Sequence, residues 1–139
     1  KNFVLSEKSF LSNLRNKDIN FYFLHINIPH APYIYDYNKN ILINFKDRDQ
    51  SNYTSNLILA DKFLGNIIDE LKKQNIFDES LIILQGDTGL DSLYKNSTKE
   101  EMVGSTPLLI KKSNQKNKSI IDYEINSYEL GNYLKTLIN

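Results

Sequence analysis

The stretch from Tyr53 to Lys73 carries the pattern that most constrains how this chain folds. Apolar residues recur in it at intervals of three and four, at Leu57, Ala60, Leu64, Ile67, Ile68 and Leu71. This spacing is typical of an amphipathic helix, and Ser51 or Asn52 is suited to cap its start. At ~1.5 Å per residue the helix would be roughly 30 Å long, enough to cross one face of a β-sheet. The rest of the chain must then supply that sheet.

Short apolar runs on both sides of this helix predict the strands of the sheet. They cover residues 20–28, 81–85 and 107–111. Further helices are predicted at residues 6–15, with Ser6 as N-cap, and after Asn126, where Glu129 is placed to complete a capping box. The alternation of helices and strands predicts an α/β fold, with a mostly parallel sheet and flanking helices. Residues 1–139 are expected to form a single domain or a fragment of one.

The composition excludes several classes of function. Basic and acidic side chains number 17 each, so no net charge would attract nucleic acid or an anionic membrane. There is no cysteine, which excludes disulfides and thiolate zinc sites within these residues. No apolar run approaches the ~18 residues that a membrane-spanning helix needs, so we expect no direct membrane insertion by this segment.

The predicted strand at 81–85 is followed by Gly-Asp-Thr-Gly, which presents Asp87 and Thr88. Gly86 and Gly89 permit a sharp turn where the strand ends. A carboxylate next to glycine is ordinary turn chemistry, and taken alone that interpretation is preferred. At the carboxyl end of a buried strand, the same side chain is also placed to be a ligand.

A second loop, Pro-His-Ala-Pro-Tyr, follows the predicted strand at 20–28 and presents His30. Pro29 and Pro32 restrict the backbone and make the loop stiff, so an imidazole can be held toward a ligand at low entropic cost. The residues alone support two interpretations of His30 equally: a functional side chain, and an ordinary histidine of a loop. His25 lies inside the predicted strand and is interpreted as a buried, hydrogen-bonded histidine.

The predicted topology brings the two loops together. If the long helix is the crossover of a βαβ unit, the strands on either side of it are parallel and both loops leave the same edge of the sheet. Ligands of open α/β sheets bind at that edge. His30 and Asp87 are therefore predicted to lie close to each other there.

Four longer stretches follow one another in a familiar order. FYFLHINIPHAPYIYD is a strand followed by a Pro-His-x-Pro-Tyr loop, and YTSNLILADKFLGNIIDELKKQNIFDESLIILQGDTG is a helix followed by a strand that ends at Asp-Thr-Gly. STPLLIKKSNQ and YEINSYELGNYLKTL come after them. Together, from about Asn20 onward, they resemble the C-terminal part of bacterial sulfatase-like proteins in the alkaline phosphatase superfamily. That group includes phosphoethanolamine transferases and lipoteichoic acid synthases.

The resemblance implies an enzyme that uses a divalent metal to hydrolyse sulfate or phosphate esters or to transfer their phospho group. It matches Asp87 to a metal-binding aspartate, and His30 to the catalytic, substrate-binding histidine of the Pro-His loop. In the family the metal neutralises the ester oxygens and activates the attacking hydroxyl, while the histidine binds the ester or stabilises the leaving group. The resemblance also implies a place on the periplasmic or extracellular face of a bacterial membrane.

Two departures from the family limit what this chain is expected to do. Thr88 stands at the position of a metal-binding histidine, and a hydroxyl binds zinc-like ions more weakly than imidazole does. We therefore expect weakened binding of a divalent ion (Zn²⁺, Mn²⁺, Mg²⁺ or Ca²⁺), with Mg²⁺ and Ca²⁺ tolerating Thr88 better because they prefer oxygen ligands. Nothing before Asn20 resembles the segment that supplies the nucleophile, so the chain by itself is expected to be inactive.

Two other interpretations are open. One is a degenerate, non-catalytic α/β module that binds an anionic glycan, a lipid headgroup or a protein partner. The other is an unrelated doubly wound domain, for which His30 and Asp87 would lie far apart. If core strands are missing, exposed sheet edges would favour self-association.

Overall fold

A computed structural model describes residues 2–43, 52–87 and 106–138 of the chain. The elements in these residues are α1 (Asn2–Asn13), β1 (Tyr35–Asp36), β2 (Ile41–Leu42), α2 (Tyr53–Lys73), β3 (Ile82–Gln85), β4 (Leu108–Lys111) and α3 (Ser127–Ile138). The chain divides into two compact units, Lys1–Phe77 and Asp78–Asn139. Among the helices of the described ranges, none combines the length and the apolar character needed to cross a membrane.

The long predicted helix forms as α2, and residues next to it fix both of its ends. Asn52 is the N-cap, and its side-chain oxygen accepts a hydrogen bond from the backbone N–H of Ser55 at 2.9 Å. At the other end Asn75 takes a left-handed conformation, with φ of 60°, which asparagine tolerates better than most residues. The backbone N–H of Ile76 then donates to the carbonyl of Leu71 at 3.0 Å, as in a Schellman motif.

The side of α2 that is buried differs in part from the predicted apolar face. Its buried residues are Ser55, Asn56, Leu59, Phe63 and Leu71. Leu57 was predicted for the apolar face, but its side chain is 47% exposed. The ring of Phe63 makes edge-on contacts with two rings of α1, Phe3 at 5.6 Å and Phe10 at 6.5 Å between centroids. Packing of α1 therefore selects which of the apolar sides of α2 is buried.

Polar side chains form hydrogen bonds at the exposed edge of the contact between α1 and α2. The guanidinium of Arg15 donates to both carboxylate oxygens of Glu70, at 2.9 and 3.2 Å, and its donated hydrogen bonds hold the pKa of Glu70 below its ordinary value. The side-chain amide of Asn66 donates to the carboxylate of Glu7 at 2.7 Å. Such exposed contacts stabilise a fold only weakly, so they fix orientation more than stability.

Residues 20–28, predicted to be a strand, form an extended segment that pairs with no strand of the described ranges. Burial alternates along it as in a strand, with Tyr22, Leu24, Ile26 and Ile28 on the half-buried side. The other side carries Phe21 and Phe23, which are 78% and 80% exposed. His25 shares this exposed side, so its interpretation as a buried residue was wrong. The alternation of the segment agrees with the sequence pattern. Within the described residues, no other segment covers the side that carries Phe21 and Phe23.

A short hairpin follows the His30 loop. Tyr35 of β1 pairs antiparallel with Leu42 of β2, and Asp36 pairs with Ile41. Asn40 completes the turn with a positive φ of 55°. Because Asp36 begins the turn, its carboxylate is placed to bind backbone N–H groups of the turn itself.

The second unit contains an antiparallel strand pair and the last helix. β3 pairs with β4 from Ile82 opposite Lys111 to Gln85 opposite Leu108. The ammonium group of Lys111 donates to the backbone carbonyl groups of Asp78 and Ser80, at 2.9 and 3.0 Å, and so ties β4 to the segment before β3.

The predicted capping box at the start of α3 is confirmed. The side chain of Asn126 accepts a hydrogen bond from the backbone N–H of Glu129 at 2.9 Å. In return the backbone N–H of Asn126 donates to the carboxylate of Glu129 at 3.1 Å. These reciprocal bonds satisfy two N–H groups at the helix end.

Both sheets in the described residues are two-stranded and antiparallel. The mixture of helices and strands agrees with an α/β class. A mostly parallel sheet is not confirmed, because the strand that would start the predicted βαβ unit at residues 20–28 does not pair with any described strand.

We predict that Asp36 makes the first unit sensitive to acid. Its buried carboxylate accepts from the backbone N–H of Lys39 at 3.1 Å, and this bond, helped by the Lys39 ammonium, lowers the pKa of Asp36. A lowered pKa gives stability that is present above the ordinary aspartate value of about 3.9 and is lost as the pH falls through the folded-state value. Urea unfolding midpoints of Asp36→Asn should therefore lie below those of the wild type at pH 7 and approach them toward pH 2.

Lys39→Gln is the matched control for this prediction. It removes the ammonium but keeps the backbone hydrogen bond, which is the largest cause of the pKa shift. Most of the acid dependence should therefore survive in Lys39→Gln. An equal loss in both variants would show that the ammonium, and not the backbone, controls the carboxylate.

Candidate functional site

His30 lies in a loop of the first unit between the extended segment and β1. Its side chain is exposed, and the peptide bonds before Pro29 and Pro32 are cis. The ring nitrogen Nδ1 lies 2.6 Å from the carbonyl oxygen of Ala31. A carbonyl oxygen can only accept, so Nδ1 carries the proton in this contact. The other ring nitrogen, Nε2, is then the one that can contact a ligand.

The loop is held from the inside by the side chain of Asn56, which is fully buried at 0% exposure. Its amide nitrogen lies 3.4, 3.1 and 3.5 Å from the backbone carbonyl oxygens of Pro29, His30 and Pro32. Its amide oxygen accepts a hydrogen bond from the backbone N–H of Ile34 at 2.9 Å. One side chain therefore binds the backbone of the loop from its first residue to its last.

The first turn of α2 places Asn56 beneath the loop. The N-cap Asn52 binds the N–H of Ser55 through its side chain, and its backbone carbonyl accepts from the N–H of Asn56 at 3.2 Å. Ser55 is also buried, at 8% exposure. Because the cap fixes this turn, the direction of the Asn56 side chain is set by residues immediately before it.

Side chains of the hairpin and of α2 hold the end of the loop. The hydroxyl of Tyr35 donates to the side-chain oxygen of Asn40 at 2.6 Å. Lys62 of α2 donates to the Tyr35 hydroxyl and to the same Asn40 oxygen, the latter at 2.6 Å. Its ammonium also lies 5.0 Å from the centre of the Tyr35 ring, within range of a cation–π contact. Tyr35 itself is buried, at 3% exposure.

Asp87 lies in the second unit, at a bend that follows β3, and its side chain is exposed. The N–H of the preceding Gly86 donates to the carbonyl of Pro107 at 3.0 Å. A β-carbon at Gly86 would lie 3.0 Å from the Pro107 ring and 3.1 Å from the β-carbon of Thr106. Glycine is favoured there because the side chains of Thr106 and Pro107, just before β4, approach so closely, and not because of a positive φ. Thr88 lies outside the described residues.

His30 belongs to the first unit and Asp87 to the second. Their predicted meeting at one sheet edge stays a prediction. Within residues 2–43, 52–87 and 106–138, no three or more histidine and carboxylate side chains are grouped so that they would hold a metal ion. Asp87 alone is one carboxylate, so the described residues do not fit a divalent ion with a complete set of ligands.

Asn56 was missed by the sequence interpretation, which treated α2 as a scaffold. A signal was present, because an asparagine stands four residues after the N-cap Asn52 and next to an apolar helix face. A buried amide in that position must find hydrogen-bond partners, and a proline-framed loop nearby in sequence offers carbonyl groups.

A family model described as Sulfatase matches residues 7–134, which extends further toward the start of the chain than the motifs from Asn20 onward. No curated protein and no solved structure matches the chain.

We predict that Gly86→Ala destabilises the second unit by about 1–3 kcal/mol, because the new β-carbon would be forced against Thr106 and Pro107. The control is Gly131→Ala in α3, where a β-carbon meets nothing within 4 Å. Gly131→Ala should raise the free energy of unfolding of the second unit by about 0.5–1 kcal/mol, because alanine has a higher helix propensity than glycine. Free energies of unfolding in urea provide the measurement, and equal effects at both glycines would contradict the close approach at Gly86.

Proposed function

This chain belongs to the sulfatase family, and we propose that it forms part of a metal-dependent enzyme acting on sulfuric or phosphoric esters. The match to the family model over residues 7–134 carries this proposal, because it spans most of the chain. Family membership supports a hydrolase or a transferase.

In this proposal His30 binds the anionic ester through Nε2. The contact of Nδ1 with the Ala31 carbonyl supports that role, because it leaves Nε2 as the contacting nitrogen of an exposed ring. In its protonated form the imidazole donates from Nε2 to an ester oxygen, and this interaction strengthens as negative charge develops on a leaving group. The same geometry serves sulfate and phosphate esters equally.

Asp87 is proposed as one metal ligand, with Thr88 beside it in place of the histidine of the family. A carboxylate and a hydroxyl are hard oxygen ligands, which suit Mg²⁺ or Ca²⁺ better than Zn²⁺. With Thr88 in place of imidazole, binding of zinc-like ions is expected to be weaker than at the histidine-containing site of the family. For this reason, and because no nucleophile segment is recognised before Asn20, we propose that the chain alone does not turn over substrate.

Thr88 also favours a second candidate function. A chain of this family that has lost a metal-binding imidazole can keep the fold and the His30 loop and still recognise an anion. The candidate is a non-catalytic module that binds an anionic glycan, a lipid headgroup or a protein partner through the same loop.

The test of the His30 role is binding of phenyl phosphate and phenyl sulfate, followed through the imidazole NMR signals of the two histidines. We expect the signals of His30 to shift on addition of ester, and His30→Ala to abolish binding. His25→Ala is the control, because His25 is the other histidine of the chain and is also exposed. Unchanged affinity in His30→Ala would remove the anion-binding role.

Activity is measured in the same samples with aryl phosphate and aryl sulfate in the presence of Zn²⁺, Mn²⁺, Mg²⁺ or Ca²⁺. We expect no turnover by the chain. Turnover that disappears in His30→Ala would contradict the proposed inactivity while supporting the catalytic role of His30.

Metal titration by calorimetry separates the two candidate functions. Wild-type binding near the micromolar range that disappears in Asp87→Asn supports the enzyme, and no binding supports the non-catalytic module. Thr88→His should raise the zinc affinity by about tenfold or more, because imidazole suits zinc better than a hydroxyl does. If Thr88→His has no effect in a chain whose Asp87 binds metal, Thr88 does not face the metal.

A further inference from the structure

We propose that Asn56 is a positioning residue that fixes the orientation and the tautomer of His30. It does so by holding the peptide groups on both sides of that residue. The inference rests on the proposed role of His30 in binding an anionic ester, and it explains how an exposed loop side chain is kept in one arrangement.

Asn56 binds the two peptide groups that flank His30. The carbonyl of Pro29 belongs to the peptide unit before His30, and the carbonyl of His30 belongs to the unit after it. Both lie within 3.4 Å of the Asn56 amide nitrogen. When the planes of both units are fixed, the two backbone dihedral angles of His30 are fixed, and with them the direction in which its side chain leaves the backbone.

Asn56 also holds the backbone on both sides of the carbonyl that accepts from the imidazole. The Ala31 carbonyl lies between two carbonyls that Asn56 binds, those of His30 and Pro32. It is therefore held in place from both sides and lies 2.6 Å from Nδ1 of His30. In the neutral ring this contact places the proton on Nδ1. In the protonated ring, which is the form proposed to bind the ester, the same contact occupies the Nδ1–H and leaves the Nε2–H for the ligand, so Asn56 acts through the backbone on which ring nitrogen faces the ligand.

Asn56 is itself held in a single orientation. The side chain is completely buried, and its oxygen and nitrogen have distinct partners: an N–H donor at Ile34, and carbonyl acceptors on the other side. Rotation of the amide by 180° would place oxygen against carbonyl oxygens, so only one orientation satisfies the network. The helix turn that carries Asn56 is fixed by the Asn52 cap.

The test uses Asn56→Asp, which has the same shape, keeps an oxygen for the Ile34 N–H, and replaces the donor with a second oxygen. The control is Asn66→Asp on the same helix, which removes the exposed amide that donates to Glu7. Two readouts are compared in the 139-residue chain: the ring-nitrogen NMR shifts of neutral His30, which report the tautomer, and the affinity for phenyl phosphate.

In the wild type and in Asn66→Asp, we expect His30 to carry its proton on Nδ1. In Asn56→Asp we expect a mixture of tautomers and a loss of phenyl phosphate affinity of about tenfold. Asn56→Leu, which removes the donors without adding charge, should show the same change. A His30 tautomer and an affinity that are both unchanged in these two folded variants would overturn the proposal.

Failure of the proposed function gives a different result. If phenyl phosphate does not bind to the wild type, but Asn56→Asp still redistributes the His30 proton, then Asn56 positions His30 and the anion-binding role is wrong. If circular dichroism shows that neither variant folds, hydrogen exchange of the Asn56 side-chain amide is measured in the wild type instead. Protection at least tenfold above that of the Asn66 amide supports the proposal, and equal exchange overturns it.

Discussion

A buried amide must find hydrogen-bond partners, because leaving its donors or its acceptor without partners costs more than the bonds contribute when they are formed. Asn56 satisfies this requirement with the backbone of the His30 loop: its oxygen accepts from the N–H of Ile34, and its two N–H groups face three carbonyl oxygens at 3.1 to 3.5 Å. The helix and the loop are thereby interdependent. The loop covers Asn56 where α2 buries it, and Asn56 in turn holds the carbonyl groups of the loop.

The parts of the fold that sequence predicted well are those decided within a few residues. The cap of α2 was predicted as Ser51 or Asn52 and that of α3 as Asn126, and the structure has Asn52 and Asn126. The cap predicted at Ser6 was wrong, because α1 begins at Asn2 and Ser6 lies inside it. Strands β3 and β4 were predicted within one residue at their boundaries, because short apolar runs bounded by turn residues have few alternatives. The class, α/β, followed from the order of these elements.

What sequence could not predict depends on partners that are distant along the chain. Residues 20–28 have the alternation of a strand, but a strand forms only when another pairs with it, and that information is not local. The buried side of α2 was misjudged at Leu57 because the helix is apolar on several sides and the rings of Phe3 and Phe10 decide among them. The candidate residues His30 and Asp87 came from the loops and from the family motifs. Asn56, which binds the loop backbone around His30, was identified only from the structure.

The contacts of Asn56 also define what would have to be moved to rebuild the His30 arrangement on another scaffold. A graft of residues 29–34 alone would carry the prolines and the imidazole but would leave the loop carbonyls without a donor. The smallest segment set that could be transferred is the loop together with the capped turn from Asn52 to Asn56. These two segments are distant in sequence but are in direct contact in the structure. Transfer of this histidine arrangement to another protein therefore also requires transfer of the start of the helix.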